Sequence, residues 1–131
     1  MTDSKKVRLA VIGVGNMGQS HARDIVSLPN TELVAVCDID PERLAFVAGD
    51  LGVKAYVDYN DLLLRDDLDG ILVATPHYDH VPISIAAFER GIHVLAEKPI
   101  AVHGKDARKM IAAYEIAKKQ HPNLVFAAMF M

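Results

Sequence analysis

The sequence predicts an α/β domain built on a doubly wound parallel sheet of about six strands. Short apolar runs without polar alternation, such as residues 33–37, are typical of parallel strands that are covered on both faces. Segments with a helical spacing of apolar residues lie between these runs, and the links are short. Because strands and helices alternate along the chain, we expect right-handed crossovers within one sheet.

The composition is typical of a globular domain. The chain has 131 residues, of which 51% are hydrophobic and 24% are charged, and its net charge is −3. We therefore predict one domain over residues 1–131. Because there is no basic cluster, nucleic acid is not an expected partner. No apolar run reaches the roughly 18 residues of a membrane span, so no membrane is expected either.

The single cysteine, Cys37, lies inside the apolar run 33–37. A cysteine in such a run is typical of a small core residue rather than a nucleophile. With only one cysteine, the sequence favours a reducing cytoplasm as the compartment.

The strands are predicted at residues 9–14, 32–37, 54–57, 70–74, 92–96 and 124–129. The helices are predicted at residues 17–27, 41–51, 59–64, 80–90 and 105–119. Asp40 is expected to cap the second helix, with Pro41 at its first position and Gly52 at its end. The charged connection 65–69 is expected to be a solvated loop.

A glycine-rich turn with the pattern G-x-G-x-x-G follows the first strand and opens the first helix. Gly13 permits the sharp exit from the strand, Gly15 lets a pyrophosphate approach the backbone, and Gly18 lets the helix lie close to the sheet. The N–H groups at the helix start, including those of Asn16 and Met17, lack intrahelical partners and suit a phosphate anion.

An acidic residue, Asp38, ends the second strand 20 residues after Gly18, as in the fingerprint of dinucleotide-binding proteins. We therefore predict a dinucleotide site, against the alternative that the glycines only make a tight turn. A carboxylate at this position can accept hydrogen bonds from the adenosine ribose and repels a 2′-phosphate, so NAD is the predicted cofactor. The alternative is that Asp38 only begins a turn with Asp40.

NADP stays possible because Arg43 could in principle bind a 2′-phosphate. Position 39, next to the acid, is Ile39 and not an arginine, and Arg43 is expected to be exposed in the first turns of its helix. Both observations favour NAD.

Four motifs are spread over the chain: GVGNMG at 13–18, CDIDPER at 37–43, ATPHYDH at 74–80 and AEKP at 96–99. Together they resemble the Gfo/Idh/MocA oxidoreductases, with the Glu-Lys-Pro motif as the most specific part. The resemblance covers residues 6–131 and matches the N-terminal, nucleotide-binding half of that family, a Rossmann fold.

The resemblance implies hydride exchange between a nicotinamide and a C–H bond of a sugar, cyclitol or related alcohol. It also implies a second α/β domain that carries an Asp and a His of the active site and through which the longer protein forms homo-oligomers. We expect that substrate domain, absent from this chain, to follow in the longer protein.

Lys98 is the predicted catalytic residue, because it directly follows the fifth strand at the carboxyl edge of the sheet, where it can reach both the nicotinamide ribose and the substrate, and because it belongs to the Glu-Lys-Pro motif. With an ordinary pKa near 10.4, a lysine is a poor base at neutral pH. Lys98 is therefore expected to orient the substrate and relay a proton while a His of the absent domain acts as base. The alternative is an exposed lysine at a strand end. Glu97 is expected to contact ribose or hold Lys98, or to form a plain ion pair in the loop.

The backbone of Thr75 and Pro76 is expected to border the nicotinamide, whereas His77 stands where the family more often has Asn. The predicted cofactor-binding set is Gly13, Gly15, Asn16, Met17, Gly18, Asp38, Ile39, Thr75, Pro76, His77, His80, Glu97 and Lys98. No metal site is expected, because nothing completes the pair His77 and His80. Four other histidines have no evident partner and are treated as structural or surface residues: His21, His93, His103 and His121.

Two other functions are compatible with a glycine-rich strand–helix turn. One is a non-catalytic nucleotide-binding or redox-sensing module. The other is a methyltransferase, which the motif at 97–99 disfavours.

Overall fold

The computed structural model of the chain describes residues 6–75, 80–97 and 104–129. Its strands are β1 (Val7–Ile12), β2 (Thr31–Cys37), β3 (Lys54–Tyr56), β4 (Gly70–Val73), β5 (His93–Glu97) and β6 (Phe126–Met129). Its helices are α1 (Asn16–Ser27), α2 (Pro41–Leu51), α3 (Tyr59–Leu63), α4 (His80–Glu89) and α5 (Gly104–Gln120). None of the helices in the described ranges has the length and hydropathy that a membrane span requires.

The six strands form one sheet in the order β3-β2-β1-β4-β5-β6, and every neighbouring pair is parallel. The predicted doubly wound parallel sheet is therefore confirmed. The strand order reverses between β1 and β4, where Ile12 pairs with Cys37 on one side and with Val73 on the other. In folds of this class ligands bind beyond the carboxyl ends of the strands at such a switch point.

The helices cover the sheet from both faces because successive strand residues point to opposite sides. On one face, α1 and α2 pack on the first strands around Val11, Val36 and Leu72. On the other face, α3, α4 and α5 pack around Ile12, Ile71 and Val94. The central strands β1, β2 and β4 are thus buried on both sides at their carboxyl ends, which is the reason that runs such as 33–37 show no polar alternation.

Local signals set both ends of α2 as predicted. Asp40 accepts hydrogen bonds from the backbone N–H groups of Glu42 and Arg43 at 3.1 and 3.3 Å, and Pro41 is the first helical residue of α2. Gly52 ends α2 in the left-handed region with φ +68°. These caps confirm the predicted bounds of the second helix.

The connection at 65–69 differs from the expected solvated loop. Leu68 is buried, and Arg65 forms a 2.7 Å ion pair with Asp67. Asp69 accepts a hydrogen bond from the backbone N–H of Arg8 at 2.8 Å. Its two ends are tied to the rest of the domain, through the 3.0 Å hydrogen bond that Arg65 donates to the hydroxyl of Tyr56 and through Asp69, whereas Asp66 between them is exposed.

Candidate functional site

A cleft of about 580 Å³ opens at the carboxyl ends of β1, β2, β4 and β5. Nine of the predicted cofactor-binding residues line it: Gly13, Gly15, Asn16, Met17, Gly18, Asp38, Ile39, Thr75 and Glu97. The same cleft is lined by six residues outside the predicted set: Ile12, Cys37, Arg43, Tyr59, Ala74 and Ile83. The sheet gathers these side chains because the carboxyl ends of parallel strands lie along one edge.

Two of the three loop glycines are required by the protein's own packing. Gly13 has φ +95°, and a Cβ there would lie 2.8 Å from the carbonyl carbon of Ala74. A Cβ on Gly18 would overlap the carbonyl oxygen of Gly13. Gly13 thus lets the turn lie against the chain that follows β4, and Gly18 lets the start of α1 lie close against the turn.

Gly15 differs from the other two glycines. The nearest heavy atom to a Cβ built on it is Nη1 of Arg43, at 3.9 Å, so the packing of the protein leaves room for a side chain. Gly15 lines the cleft, at the point where α1 begins without a side-chain cap. The first N–H groups of a helix and its dipole favour an anion at this position. The loop therefore fits the pyrophosphate of a dinucleotide.

Asp38 is 8% exposed and ties the glycine loop to the end of β2. Its Oδ2 accepts a 2.9 Å hydrogen bond from the backbone N–H of Val14, and its Oδ1 accepts one of 2.8 Å from the N–H of Asp40. The turn with Asp40 that the sequence left open is therefore present. The same carboxylate also lines the cleft, so the turn and a contact with ribose are compatible.

Arg43 is exposed in the first turn of α2, as expected from the sequence, and it also contacts Asp38. Its side chain is 43% exposed, but Nε lies 3.4 Å from Oδ2 of Asp38, and Nη2 lies 3.4 Å from Oδ1. Because Asp40 caps α2, the third residue after the cap turns back over the end of β2. Asp40 and Pro41 signal the start of α2 in the sequence, but that signal does not specify the contact of Arg43 with Asp38.

Thr75 lines the cleft, and its buried hydroxyl oxygen has no hydrogen-bond partner among the described residues. A buried polar atom of this kind suits a ligand with polar groups. His80 is 1% exposed, and its Nε2 donates a 2.9 Å hydrogen bond to the carbonyl oxygen of Thr75. His80 therefore supports the backbone at the cleft, and its contact with a cofactor stays a prediction.

Two of the histidines without an evident partner in the sequence have one in the structure. His21 of α1 places Nε2 at 3.6 Å from Oε1 of Glu97, at the end of β5. Nδ1 of His93 accepts a 3.0 Å hydrogen bond from the backbone N–H of Val125. Both pairs join residues that are distant in the chain, so sequence spacing gave no signal for them.

Cys37 is buried at the end of β2, as predicted for a core residue. Burial, followed by the nearby carboxylate of Asp38, raises the pKa of the thiol to about 12. The thiol stays protonated at neutral pH and is not a nucleophile there.

Several predicted residues lie outside the described part of the chain: Pro76, His77, Lys98 and His103. Their roles stay predictions. Within residues 6–75, 80–97 and 104–129, no three His, Cys, Asp or Glu side chains lie close enough together to hold a metal ion.

Comparison with known proteins places the chain in a family. Residues 7–125 match the GFO_IDH_MocA model, described as an oxidoreductase family with an NAD-binding Rossmann fold. The chain is 34% identical over 119 residues to inositol 2-dehydrogenase of Rubrobacter xylanophilus, covering 89% of this chain and 34% of that protein.

Solved structures give the same result. The crystal structure of myo-inositol 2-dehydrogenase from Lactobacillus plantarum superposes with a TM-score of 0.85 at 31% identity, covering 95% of this chain and 36% of that one. Scyllo-inositol dehydrogenase from Lactobacillus casei, with bound NAD(H) and scyllo-inositol, gives 0.84 at 26% identity, covering 95% and 36%. The chain thus spans about a third of the length of these relatives. From its match, its sheet order and its glycine loop, the chain belongs to the Gfo/Idh/MocA oxidoreductase family, with an NAD-binding Rossmann fold.

Proposed function

We propose that residues 1–131 are the NAD(H)-binding domain of a dehydrogenase that acts on a sugar, a cyclitol or a related alcohol. The relatives support this substrate class, since two of them are named for inositol. Membership of an oxidoreductase family supports an enzyme over a non-catalytic nucleotide-binding module. A bound nicotinamide would supply the hydride acceptor or donor.

The geometry of Gly15 carries the proposal. Gly13 and Gly18 are needed for packing, whereas at Gly15 the protein itself leaves space for a Cβ. A glycine at that position is explained by a ligand that approaches the backbone closely. In the proposed complex the N–H groups at the start of α1 bind the pyrophosphate, and Asp38 accepts hydrogen bonds from the adenosine ribose.

The dinucleotide would extend from Asp38 past the glycine loop toward Thr75 and Glu97, which line the other end of the cleft. The nicotinamide would then lie beside the end of β5, which Lys98 directly follows in the sequence. We propose Lys98 as the residue that orients the reacting hydroxyl and relays its proton. In a chain of the relatives' full length, Lys98→Met is expected to lower kcat strongly and NADH affinity little.

The Asp and His that complete the active site would come from a second domain of the longer protein. We further propose that the longer protein is a homo-oligomer assembled through that domain. The single buried thiol of Cys37 is consistent with a place in the cytoplasm.

The experiment is a titration of the 131-residue chain with NADH, followed by fluorescence or calorimetry. We expect binding by the wild type, and at least tenfold weaker binding by Gly15→Ala, a loss of about 1.4 kcal/mol. The melting temperature of Gly15→Ala should fall by no more than a few degrees, because the new Cβ meets no protein atom closer than 3.9 Å and only the preference for glycine over alanine at the N-cap of α1 is lost.

Gly49→Ala is the matched control, since a Cβ on Gly49 of α2 meets nothing within 4 Å and that residue is not in the cleft. It should bind NADH as the wild type does. A wild-type chain that binds no NADH at millimolar concentration, or a Gly15→Ala chain with unchanged affinity, would overturn the proposal.

A further inference from the structure

A histidine of α1 lies beside a glutamate of β5 that lines the cleft. Nε2 of His21 lies 3.6 Å from Oε1 of Glu97, and each side chain is only 13% exposed. Along β5, His93, Leu95 and Glu97 alternate with the buried Val94 and Ala96, which face the opposite side of the sheet. Glu97 therefore points to the face on which α1 packs, and His21 reaches it from the second turn of that helix.

The burial of this pair demands a partner for each group. Nε2 of His21 is inaccessible to solvent and has no hydrogen bond to any described residue, whereas Oε1 of Glu97 lies 3.6 Å away. A carboxylate that is removed from water likewise needs a donor or a positive charge close by. Hydrogen bonds in ligand-free sites are often long and shorten when the ligand binds. A separation of 3.6 Å is therefore consistent with a pair that closes on binding.

Glu97 also lines the cleft, and so does Met17, which lies one helical turn before His21. We propose that His21 is a positioning residue that holds Glu97 for the dinucleotide. The imidazole Nε2–H donates to Oε1, which fixes the carboxylate and leaves its second oxygen to accept from a hydroxyl of the ligand. This inference rests on the proposed NAD(H) binding and adds a role for a residue of α1 that reaches the cleft only through Glu97.

A double-mutant cycle on NADH affinity tests the inference. We expect His21→Leu and Glu97→Gln each to weaken NADH binding by about tenfold, and the double variant to bind no more than about twofold more weakly than Glu97→Gln alone. His21→Gln should stay within about threefold of the wild type, because its amide N–H can donate to the same oxygen. If His21 only filled space, His21→Leu would bind NADH at least as well as His21→Gln.

His93→Leu is the matched control. His93 lies on the same strand and face as Glu97, but at the amino end of β5, and it is not in the cleft. Its replacement removes the hydrogen bond to Val125 and should lower stability without changing NADH affinity.

A second measurement leaves His21 in place, in case its variants do not fold. In a chain with ¹⁵N-labelled histidine, Glu97→Gln should shift the Nε2 resonance of His21, and NADH should shift it in the wild type only. Additive effects in the cycle, or a resonance that Glu97→Gln does not move, would overturn this inference while leaving NADH binding intact. A wild-type chain that binds no NADH would overturn the proposed function and this inference together.

Discussion

The guanidinium of Arg43 lies side-on against the carboxylate of Asp38, with two nitrogens each 3.4 Å from a different oxygen. Asp38 is nearly buried, whereas Arg43 is half-exposed and lines the cleft. The acid that is proposed to bind the ribose thus carries its own counter-charge. That counter-charge weakens the repulsion of a 2′-phosphate that an isolated carboxylate would exert.

Arg43→Ala is therefore expected to sharpen the preference for NADH. Removing the cation should weaken NADPH binding about tenfold and change NADH binding less than about threefold, since only NADPH carries the extra phosphate. Titrations with both nucleotides measure the ratio. Arg23→Ala is the control, because Arg23 pairs with Asp50 at 2.8 Å and does not line the cleft. Equal losses for both nucleotides in Arg43→Ala would contradict the prediction.

Asp38→Ala is expected to lower stability as well as NADH affinity. It leaves the buried N–H of Val14 without its acceptor and also removes the hydrogen bond to Asp40. An unsatisfied buried donor costs about 1–3 kcal/mol in the free energy of unfolding. Urea denaturation measures the loss, and Asp40→Ala serves for comparison, because it removes the cap of α2 and an exposed ion pair with Arg43 but keeps the acceptor of the Val14 N–H. A chain with Asp38→Ala as stable as the wild type would show that the loop does not depend on this carboxylate.

Gly18→Ala and Gly49→Ala are expected to have opposite effects on stability. A Cβ on Gly18 overlaps the carbonyl oxygen of Gly13, so the backbone must move, at about 3 kcal/mol or more. Gly49 lies within α2 with open space around its Cα, so alanine should stabilise the helix by about 0.5–1 kcal/mol. Thermal or urea denaturation shows whether each variant is more or less stable than the wild type. A Gly49→Ala chain that is less stable than the wild type would refute the prediction for that position.

Cys37 should make stability fall at alkaline pH. Burial raises the pKa of its thiol from 9.0 to about 12, so the unfolded chain loses the proton first. The contribution of the protonated thiol to the free energy of unfolding is fully present below pH 9. It decreases as pH rises towards 12, by up to about 1.4 kcal/mol per pH unit. Denaturation of the wild type and of Cys37→Ala at pH 8 and at about pH 10.5 gives the loss of stability of each chain, and the difference between the two losses is due to the thiol. Equal pH dependence in the two chains would exclude this contribution.

The sheet and the helix ends were predictable because their causes are local. Asp40, Pro41 and Gly52 specify α2 within a few residues of its ends. Two strands begin later than predicted, β5 at His93 instead of residue 92 and β6 at Phe126 instead of residue 124. The causes are local hydrogen bonds, which the sequence does not show. The N–H of Ile92 bonds to the carbonyl of Ala87 at the end of α4, and the N–H of Leu124 bonds to that of His121 in a turn. Both residues are apolar and buried, so the pattern counted them as strand.

The candidate site was predictable where a motif specifies the backbone, as at Gly13 and Gly18. The contacts of Arg43 with Asp38 and of His21 with Glu97 were not predicted, for different reasons. The first depends on the direction in which a capped helix leaves its strand. The second depends on how α1 lies across the sheet, which no spacing within the sequence specifies.

The reversal of strand order between β1 and β4 divides the cleft between two halves of the domain. The glycine loop and Asp38 belong to the half with β1, β2 and β3, whereas Thr75 and Glu97 belong to the half with β4 and β5. A dinucleotide bound along the cleft would act as a non-covalent crosslink between them. At a ligand concentration one hundred times Kd, separating the halves would cost about 2.7 kcal/mol more. Slower hydrogen exchange should therefore extend through both halves, including strands that the ligand never touches.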